Sequence, residues 1–499
     1  MHGATLAERL VDREQELTRL RELMQEGRPR LVLLYGRRRV GKTFLLTHAW
    51  PAARTFHFTA AATTPEQNRR QLIDDLARWT RRDLRAEDYP TWRAVFRLLL
   101  DVRSPEPVAI VVDEFQYLGD DAAALSGVAS ELNAVWEERR RARSLVFVLA
   151  GSAVRTMEAL AAGAAPLHGR FAWKSELRPF DYWDAGQLAA FRKLRDRAYA
   201  YGVFGGTPAY LSAVRPAQSV AANGARLMLA PRGEVRELVE TALLQEQGLR
   251  DIPKYAGILR AVAGGHTELN AIAQAAGLPL DTSLRDKVER LIGLGYVRAT
   301  RNFGVKRTAP FRYYLADPAF RFYYQFVAPH EAALERSDAA RFWRERVASA
   351  LDTYMGGVFE RMAEQAYTRL RDRHGLPLVG EWGRWEGKDR AGEQIEIDVV
   401  CELADGRVMT GAVKWNRRPV GVDLHERHVA MLERLAASGI KWAHGARAKT
   451  APLIYVAAGG FASDFARTVG KSRKTVFLWS LEDLYGGSRA RRARSSRRR

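Results

Sequence analysis

Cysteine is almost absent. Cys401 is the single one in 499 residues. One thiol closes no internal disulfide and builds no multi-cysteine metal site, which excludes the disulfide-stapled and zinc-ribbon classes and fits a reducing, cytoplasmic setting. Long hydrophobic runs are missing too. No stretch approaches the roughly eighteen apolar residues of a membrane span. The opening "MHGATLAERLVDREQEL" has no apolar core of a secretion signal, so none is expected. Acid is the minority charge, with 58 Asp and Glu against 79 Lys and Arg, a net of +21. That excess suits a polyanionic partner and says nothing about fold. Seven of the arginines crowd into the last eleven residues, "RARRARSSRRR". A segment with so little to bury is expected to be disordered over 486–499. It serves either solubility or non-specific phosphate contact.

What is present is an ordinary apolar share of 47 %, enough for real cores, and a length that suits about two to four domains. "YGRRRVGKT" (35–43) has the spacing of a phosphate-binding loop. "RLVLLYG" (30–36) before it reads as a buried strand, and "TFLLTHAW" (43–50) after it can start a helix. Main-chain N–H groups from Gly36, Arg37, Arg38, Arg39, Val40, Gly41, Lys42, Thr43 and Phe44 would line the phosphates, helped by the helix N-terminus. Lys42 would reach the β- and γ-phosphates of ATP, and Thr43 would hold Mg²⁺. The three arginines at 37–39 are expected to add charge and to point mainly into solvent.

About seventy residues on, "PVAIVVDEFQYL" (107–118) is a second buried strand ending in Asp113 and Glu114. A carboxylate at a strand's C-terminal end sits where doubly wound sheets bind ligand. Asp113 would join the Mg²⁺ shell and Glu114 would polarise the attacking water. "SLVFVLAGS" (144–152) is a further strand whose Ser152 either senses the γ-phosphate or satisfies backbone. In "APLHGRFAWKSELRPF" (165–180), Arg170 either contacts a γ-phosphate, in its own subunit or a neighbour's, or is structural.

These stretches resemble the archaeal-type ATPases of the AAA+/STAND class, whose C-terminal domain of unknown function looks like a PD-(D/E)XK nuclease. "LVDREQELTRLREL" (10–23) resembles the family's opening helix, "GRRRVGKT" and "VVDEFQ" its Walker A and B motifs, "LAGSAV" its sensor strand, "LHGR" its Gly-Arg signature, and "GVFGGTPAYL" (202–211) its GGxPxYL. The resemblance implies that Val11 and Arg13 lie near the adenine and that Gly206 and Pro208 touch the nucleotide from a helical lid. Read from the residues alone, Asp12 and Gln15 form a capping-box pattern, and "GGTP" is a turn at a helix boundary.

Residues 252–316 read as three helices and two strands around the loop "RNFGVKRTAP", a winged helix-turn-helix. Leu284, Val288, Leu291 and Ile292 mark the buried face of the third helix. Arg285, Lys287 and Arg290 on that helix, with Arg298, Arg301, Lys306 and Arg307 on or beside the wing, suit DNA phosphates; the other reading is a structural or lid role. In the last domain the family's nuclease pattern falls on Glu360, Asp398 and Ala412-Val413-Lys414. Ala412 departs from it, because a methyl group ligates no metal. The expectation is a degenerate fold kept for binding or assembly, unless Glu360 or Glu396 compensates. His425 and His428, three apart, are expected to be surface histidines.

The fold class is therefore α/β: a P-loop NTPase parallel sheet (1–180), a helical lid (181–250), a winged helix with bridging helices (251–345), a restriction-endonuclease-like α/β domain (346–485) and a basic tail. The function expected is an ATP- and Mg²⁺-dependent switch, acting on a nucleic-acid, DNA-related target or an unknown protein partner. The alternatives are a DNA-binding regulator holding ATP as a slowly hydrolysed structural ligand, and an ATP-gated metal-dependent nuclease.

Overall fold

The computed structural model describes residues 11–102, 104–139, 144–246, 249–306, 308–472, 475–486 and 491–492. The chain divides into two compact units, residues 1–180 with 207–209 and 246–248, and residues 181–206, 210–245 and 249–499.

The first unit is built on β1 (Arg30–Tyr35), β2 (Thr55–Thr59), β3 (Val108–Asp113), β4 (Leu145–Gly151) and β5 (Phe171–Glu176), in the order β2-β3-β4-β1-β5. Every pairing is parallel. Parallel strands need helical crossovers, so both faces are covered and central strands become apolar throughout. β3 and β4 are buried along their whole length. One face packs on α1 (Glu14–Gln25) and α2 (Lys42–Ala49) through Leu17, Leu20 and Leu45. The other packs on α3 (Pro65–Thr80), α4 (Trp92–Leu100) and α5 (Ala122–Arg139) through Leu72, Phe96 and Leu132. This is the parallel α/β sheet expected from the motif order.

The start of α1 differs from its sequence pattern. Its N-cap is Arg13, at φ 75°, with no side-chain cap, and Asp12 before it is also left-handed. Arg13 instead donates to the Arg178 carbonyl at 2.6 Å and lies 5.0 Å over the Phe180 ring. That long-range tie replaces the local cap.

The second unit is helical over 181–245. Helices Ile252–Ala263, Leu269–Ala276 and Thr282–Gly293 follow, then the antiparallel pair β6 (Val297–Thr300) and β7 (Arg312–Leu315). Leu284, Val288 and Leu291 are buried and Ile292 is half-buried, as the periodicity predicts. After the long helix Ala348–His374 come β8 (Val379–Lys388), β9 (Gln394–Leu403), β10 (Val408–Lys414), β11 (Leu453–Ala457), β12 (Val476–Trp479) and β13 (Arg491–Arg492), forming one sheet in the order β13-β12-β11-β10-β9-β8. β9 and β10 pair antiparallel, as their alternation suggests. Residues 491–492 of the tail expected to be disordered pair with β12, because a sheet edge offers N–H and C=O groups to any extended segment. Most of that tail lies outside the described residues.

The loop between β6 and β7 is not a free wing. The Phe303 N–H donates to the Arg384 carbonyl of β8 at 2.9 Å. The Asn302 amide both donates to the Glu386 carbonyl, at 2.6 Å, and accepts from its N–H, at 3.2 Å. Phe303 is buried in a cluster with Trp385, against Trp442. The loop thus covers the exposed edge of β8.

Candidate functional site

The turn after β1 is possible only for glycine at 36. Its φ is 154°, and a Cβ there would strike the Leu177 carbonyl. Gly41, at φ 92°, caps α2, and Arg39 between them is also left-handed at φ 69°. This curls the main chain around the start of α2. Lys42 is buried and donates from Nζ to the carbonyls of Gly36, at 2.8 Å, and Arg37, at 3.2 Å. Burial pulls its ammonium pKa down, against the raising pull of Glu114 and Asp113. The Thr43 hydroxyl donates to Asp113 Oδ2 at 2.6 Å. Burial alone would raise the Asp113 carboxyl, but hydrogen bonds from His57 and Thr43 and the charge of Lys42 hold it below its ordinary value.

Glu114, the residue after β3, is left-handed at φ 54°, and its N–H donates to Asp113 Oδ1 at 2.9 Å. Its Oε2 accepts from the Ser152 hydroxyl at 2.6 Å and from the Ser152 N–H at 3.2 Å. Gln116 also donates to Glu114, and to Ser152 Oγ at 3.3 Å. The ends of β1, β3 and β4 therefore bring Lys42, Thr43, Asp113, Glu114 and Ser152 into one constellation. An ammonium and curled N–H groups are chemistry that suits a phosphate, with an acidic pair beside them. Thr43 Oγ1 and Asp113 Oδ2 are the all-oxygen pair that suits Mg²⁺. His57, 3.7 Å from Asp113 Oδ2, and Gln116 were not singled out in the sequence. The visible signal for Gln116 is its place in "DEFQ"; His57 reaches Asp113 only because β2 pairs with β3.

The arginines of the loop are more enclosed than expected. Arg37 is buried, Arg38 is half-buried and donates to the Tyr117 hydroxyl at 2.6 Å, and Arg39 is half-buried. Val40 is buried, while Phe44 stacks on His48 with centroids 4.1 Å apart. Val11 is half-buried, beside the buried Arg13. Pro208 lies near Gly41, 3.9 Å from where a Cβ would stand. Gly206 is buried and belongs to the second unit. Arg170 is engaged with α5, donating to Asn133 at 3.0 Å and pairing with Glu137 at 3.1 Å. The structure thus brings it to α5 and not to the loop after β1.

A second acidic centre lies in the six-stranded sheet. Glu360 from the long helix and Glu396 and Asp398 from β9 place carboxylate oxygens within 4.8 Å of one another. Lys414 donates to Asp398 Oδ2 at 2.8 Å, as does the Val413 N–H. Arg384 from β8 joins Glu396, and Glu360 at 3.5 Å. Burial, with the nearby charges of Asp398 and Glu396, raises the Glu360 carboxyl to about 7 despite Arg384. Ala412 lines a hollow of about 520 Å³ together with Glu396, Asp398 and Lys414. Glu396 is thus a third carboxylate beside the position that lacks one. Arg384 carries no sequence signal, because "EWGRWEGK" in β8 has no clean apolar alternation. The two histidines are buried: His425 meets Tyr455 Oη at 2.8 Å, and His428 meets Thr410 Oγ1 at 3.0 Å. The expectation of surface histidines fails because their helix turns that face onto the sheet.

The candidate nucleic-acid residues separate. Arg285 and Arg290 are exposed on the third helix, with Asp286 and Glu289 exposed between them. Lys306 is exposed, and Arg307 lies outside the described residues. Arg301 lies 3.5 Å over the Phe311 ring. Arg298 is not displayed on a wing surface. It is half-buried, 4.9 Å over Tyr314, and burial pulls its guanidinium pKa down. The cause is the docking of its hairpin on β8.

In comparison with known proteins, residues 10–214 match the model of a family of ATPase domains found predominantly in Archaea. Residues 323–430 match a family of archaeal and bacterial proteins of unknown function. An uncharacterised protein of Methanocaldococcus jannaschii is 24 % identical over 438 residues, covering 85 % of this chain and 90 % of that one. Among solved structures, the Walker-type ATPase of Pyrococcus abyssi is 21 % identical, at a TM-score of 0.48, over 65 % of this chain and 99 % of that one. The ORC2 protein of Aeropyrum pernix, solved as ADPNP–ADP complexes, is 16 % identical, at a TM-score of 0.41, over 68 % and 96 %. The constellation around Lys42 falls within the matched residues 10–214. No helix among the described residues is long and apolar enough to cross a membrane.

Proposed function

We propose that the protein is an ATP-hydrolysing switch whose nucleotide state is coupled to a DNA-related module in the second unit. The observation that carries this reading is the convergence of Lys42, Thr43, Asp113, Glu114 and Ser152 at the ends of β1, β3 and β4. Lys42 leaves the Gly36 and Arg37 carbonyls to bind β- and γ-phosphate oxygens, and the N–H groups from 36 to 44 bind the rest. Thr43 and Asp113 would hold Mg²⁺, which would supply positive charge against that developing on the phosphates. Glu114 orients the attacking water and takes its proton. In the present arrangement Ser152 and Gln116 both bond Glu114 Oε2, which leaves Oε1 to engage water.

The three helices and hairpin of 252–315 support a winged helix-turn-helix, with Arg285, Arg290 and Lys306 as its exposed cations. The test is phosphate release from ATP and Mg²⁺, with and without duplex and single-stranded DNA, using Lys42→Ala as control. Stimulation by DNA supports the coupling. Turnover unmoved by DNA redirects the switch to a protein partner, and absence of turnover makes ATP a structural ligand.

A second reading is favoured by the place of Glu396. With Glu360 and Asp398 it forms an oxygen donor set of the kind that holds Mg²⁺ or Mn²⁺, so the gap at Ala412 does not by itself disarm the domain. Metal-dependent nicking of DNA that disappears in Asp398→Ala would establish it; no nicking with either ion would leave a binding role.

A further inference from the structure

Gln116 is a polar residue in an apolar place. It belongs to the turn Phe115–Leu118 after β3, whose Phe115 and Leu118 are core residues, and is itself only 4 % exposed. An apolar side chain would suit that position, yet an amide stands there with only half of its capacity met. Its Nε2 donates to Glu114 and, at 3.3 Å, to Ser152 Oγ. Its Oε1 is buried and meets no donor among the described residues. A buried amide oxygen without a donor is destabilising, so the amide must be kept for what its N–H does. The neighbouring strand makes room for it. Gly151 ends β4, and a Cβ there would strike Gln116 Oε1 and Met157 Sδ. Gly151 is not left-handed, so space and not backbone freedom is the reason for a glycine.

What the N–H does is fix one oxygen. Glu114 Oε2 receives the Ser152 hydroxyl at 2.6 Å, the Ser152 N–H at 3.2 Å and the Gln116 amide. None of these donors reaches Oε1. The last bond of a glutamate side chain turns easily, because its wells are broad. Both Ser152 donors come from one residue at the end of β4, whereas Gln116 comes from the turn after β3. Anchors on two elements hold the plane of a carboxylate that a single anchor leaves free to swing. We propose that Gln116 is the positioning residue of this site: it holds Glu114 Oε2 against Ser152 so that Oε1 is presented to the attacking water, in the space that Gly151 leaves open. The inference rests on the ATPase reading, with Glu114 as the base, and deepens it. Buried as it is, Gln116 acts through Glu114 alone.

The test is a cycle of variants in the full chain, read by steady-state ATP turnover and by calorimetry with ADPNP and Mg²⁺. Gln116→Met keeps the length of the side chain and removes the donor. It should lower kcat about tenfold, as a misplaced base does, and leave ADPNP affinity near the parent value. In a Glu114→Gln background the same change should cause no further loss, because the group it positions is no longer a base. Gly151→Ala pushes a methyl group into the place of the amide and should reproduce the loss with Gln116 untouched. Melting temperatures near the parent's separate these losses from unfolding. A Gln116→Met chain as fast as the parent, where Glu114→Gln is slow, overturns the inference and leaves the ATPase reading standing. Losses that add in the double variant, or ADPNP affinity that falls along with kcat, make Gln116 merely structural and overturn it as well. A parent without turnover overturns the ATPase reading itself, and a Glu114→Gln chain at parental speed overturns the base; the inference falls with either.

Discussion

The molecule has two acidic centres, and they are built in opposite ways. Around Asp113 the cation, Lys42, comes from the end of the same short loop that curls the N–H groups, and α2 and β3 bring Thr43 to 2.6 Å from the carboxylate. Around Asp398 the carboxylates come from a helix and a strand, and their cations, Arg384 and Lys414, come from two further strands. The first centre is a local motif placed by one sheet. The second exists only after distant segments meet. Local geometry makes a site tolerant of the rest of the chain, whereas an assembled site inherits every weakness of the contacts that hold it.

The largest expected effects probe the first centre. Lys42→Ala should lower ATP turnover by about a thousandfold, because it removes a fixed positive charge from the developing phosphate charge. Glu114→Gln should lower turnover about a hundredfold while nucleotide binding, followed by calorimetry, stays near the parent value. If both variants lose binding equally, Glu114 acts in the ground state and the role given to it fails. Next comes the assembled centre. Phe303→Ala empties a buried site between the hairpin and β8 and should cost about 3–5 kcal/mol in urea unfolding. A loss confined to the first unit's transition would mean the hairpin does not brace the second.

A smaller effect is expected at Gly36. Gly36→Ala forces a Cβ toward the Leu177 carbonyl at a φ of 154°, a strain of about 1–3 kcal/mol read as a lower melting temperature. The smallest is a slope with pH. Glu360 keeps its proton in the folded chain up to about 7, above the ordinary carboxyl value of 4.5. Between those values the unfolded chain has lost the proton and the folded chain holds it, so stability falls as pH rises through that window. Glu360→Gln should flatten this part of the stability–pH profile, and an unchanged slope would assign it to another group.

Much of the first unit was legible because its signals are local. Buried parallel strands show as continuous apolar runs, and the glycines of "GRRRVGKT" mark a turn that other residues cannot make. The loop arginines were misjudged as solvent-facing because Tyr117, which receives Arg38, lies far along the chain. The helix start at Asp12 was misjudged for the same reason: Arg178 and Phe180 override a cap of only about 1 kcal/mol. In the second unit the three helices and the β9–β10 hairpin follow their periodicities. β8 was missed, and with it Arg384. Its glycines and tryptophans in "EWGRWEGK" show no clean alternation, because one side of it takes the hairpin loop instead of a further strand.

What the chain's own order determined, then, is the glycine-bounded loop after β1, the acidic strand β3 and the existence of the later elements, since each depends on residues within a turn or a strand of one another. The tertiary structure decided where the unmatched residues went. It turned Arg298 from a wing surface into a cavity, drew Arg170 onto α5, buried His425 and His428, and set Glu396 beside Glu360 and Asp398. The physical reason is that a charged side chain settles against whatever partner packing brings within a few ångströms, and that partner is rarely its neighbour in sequence.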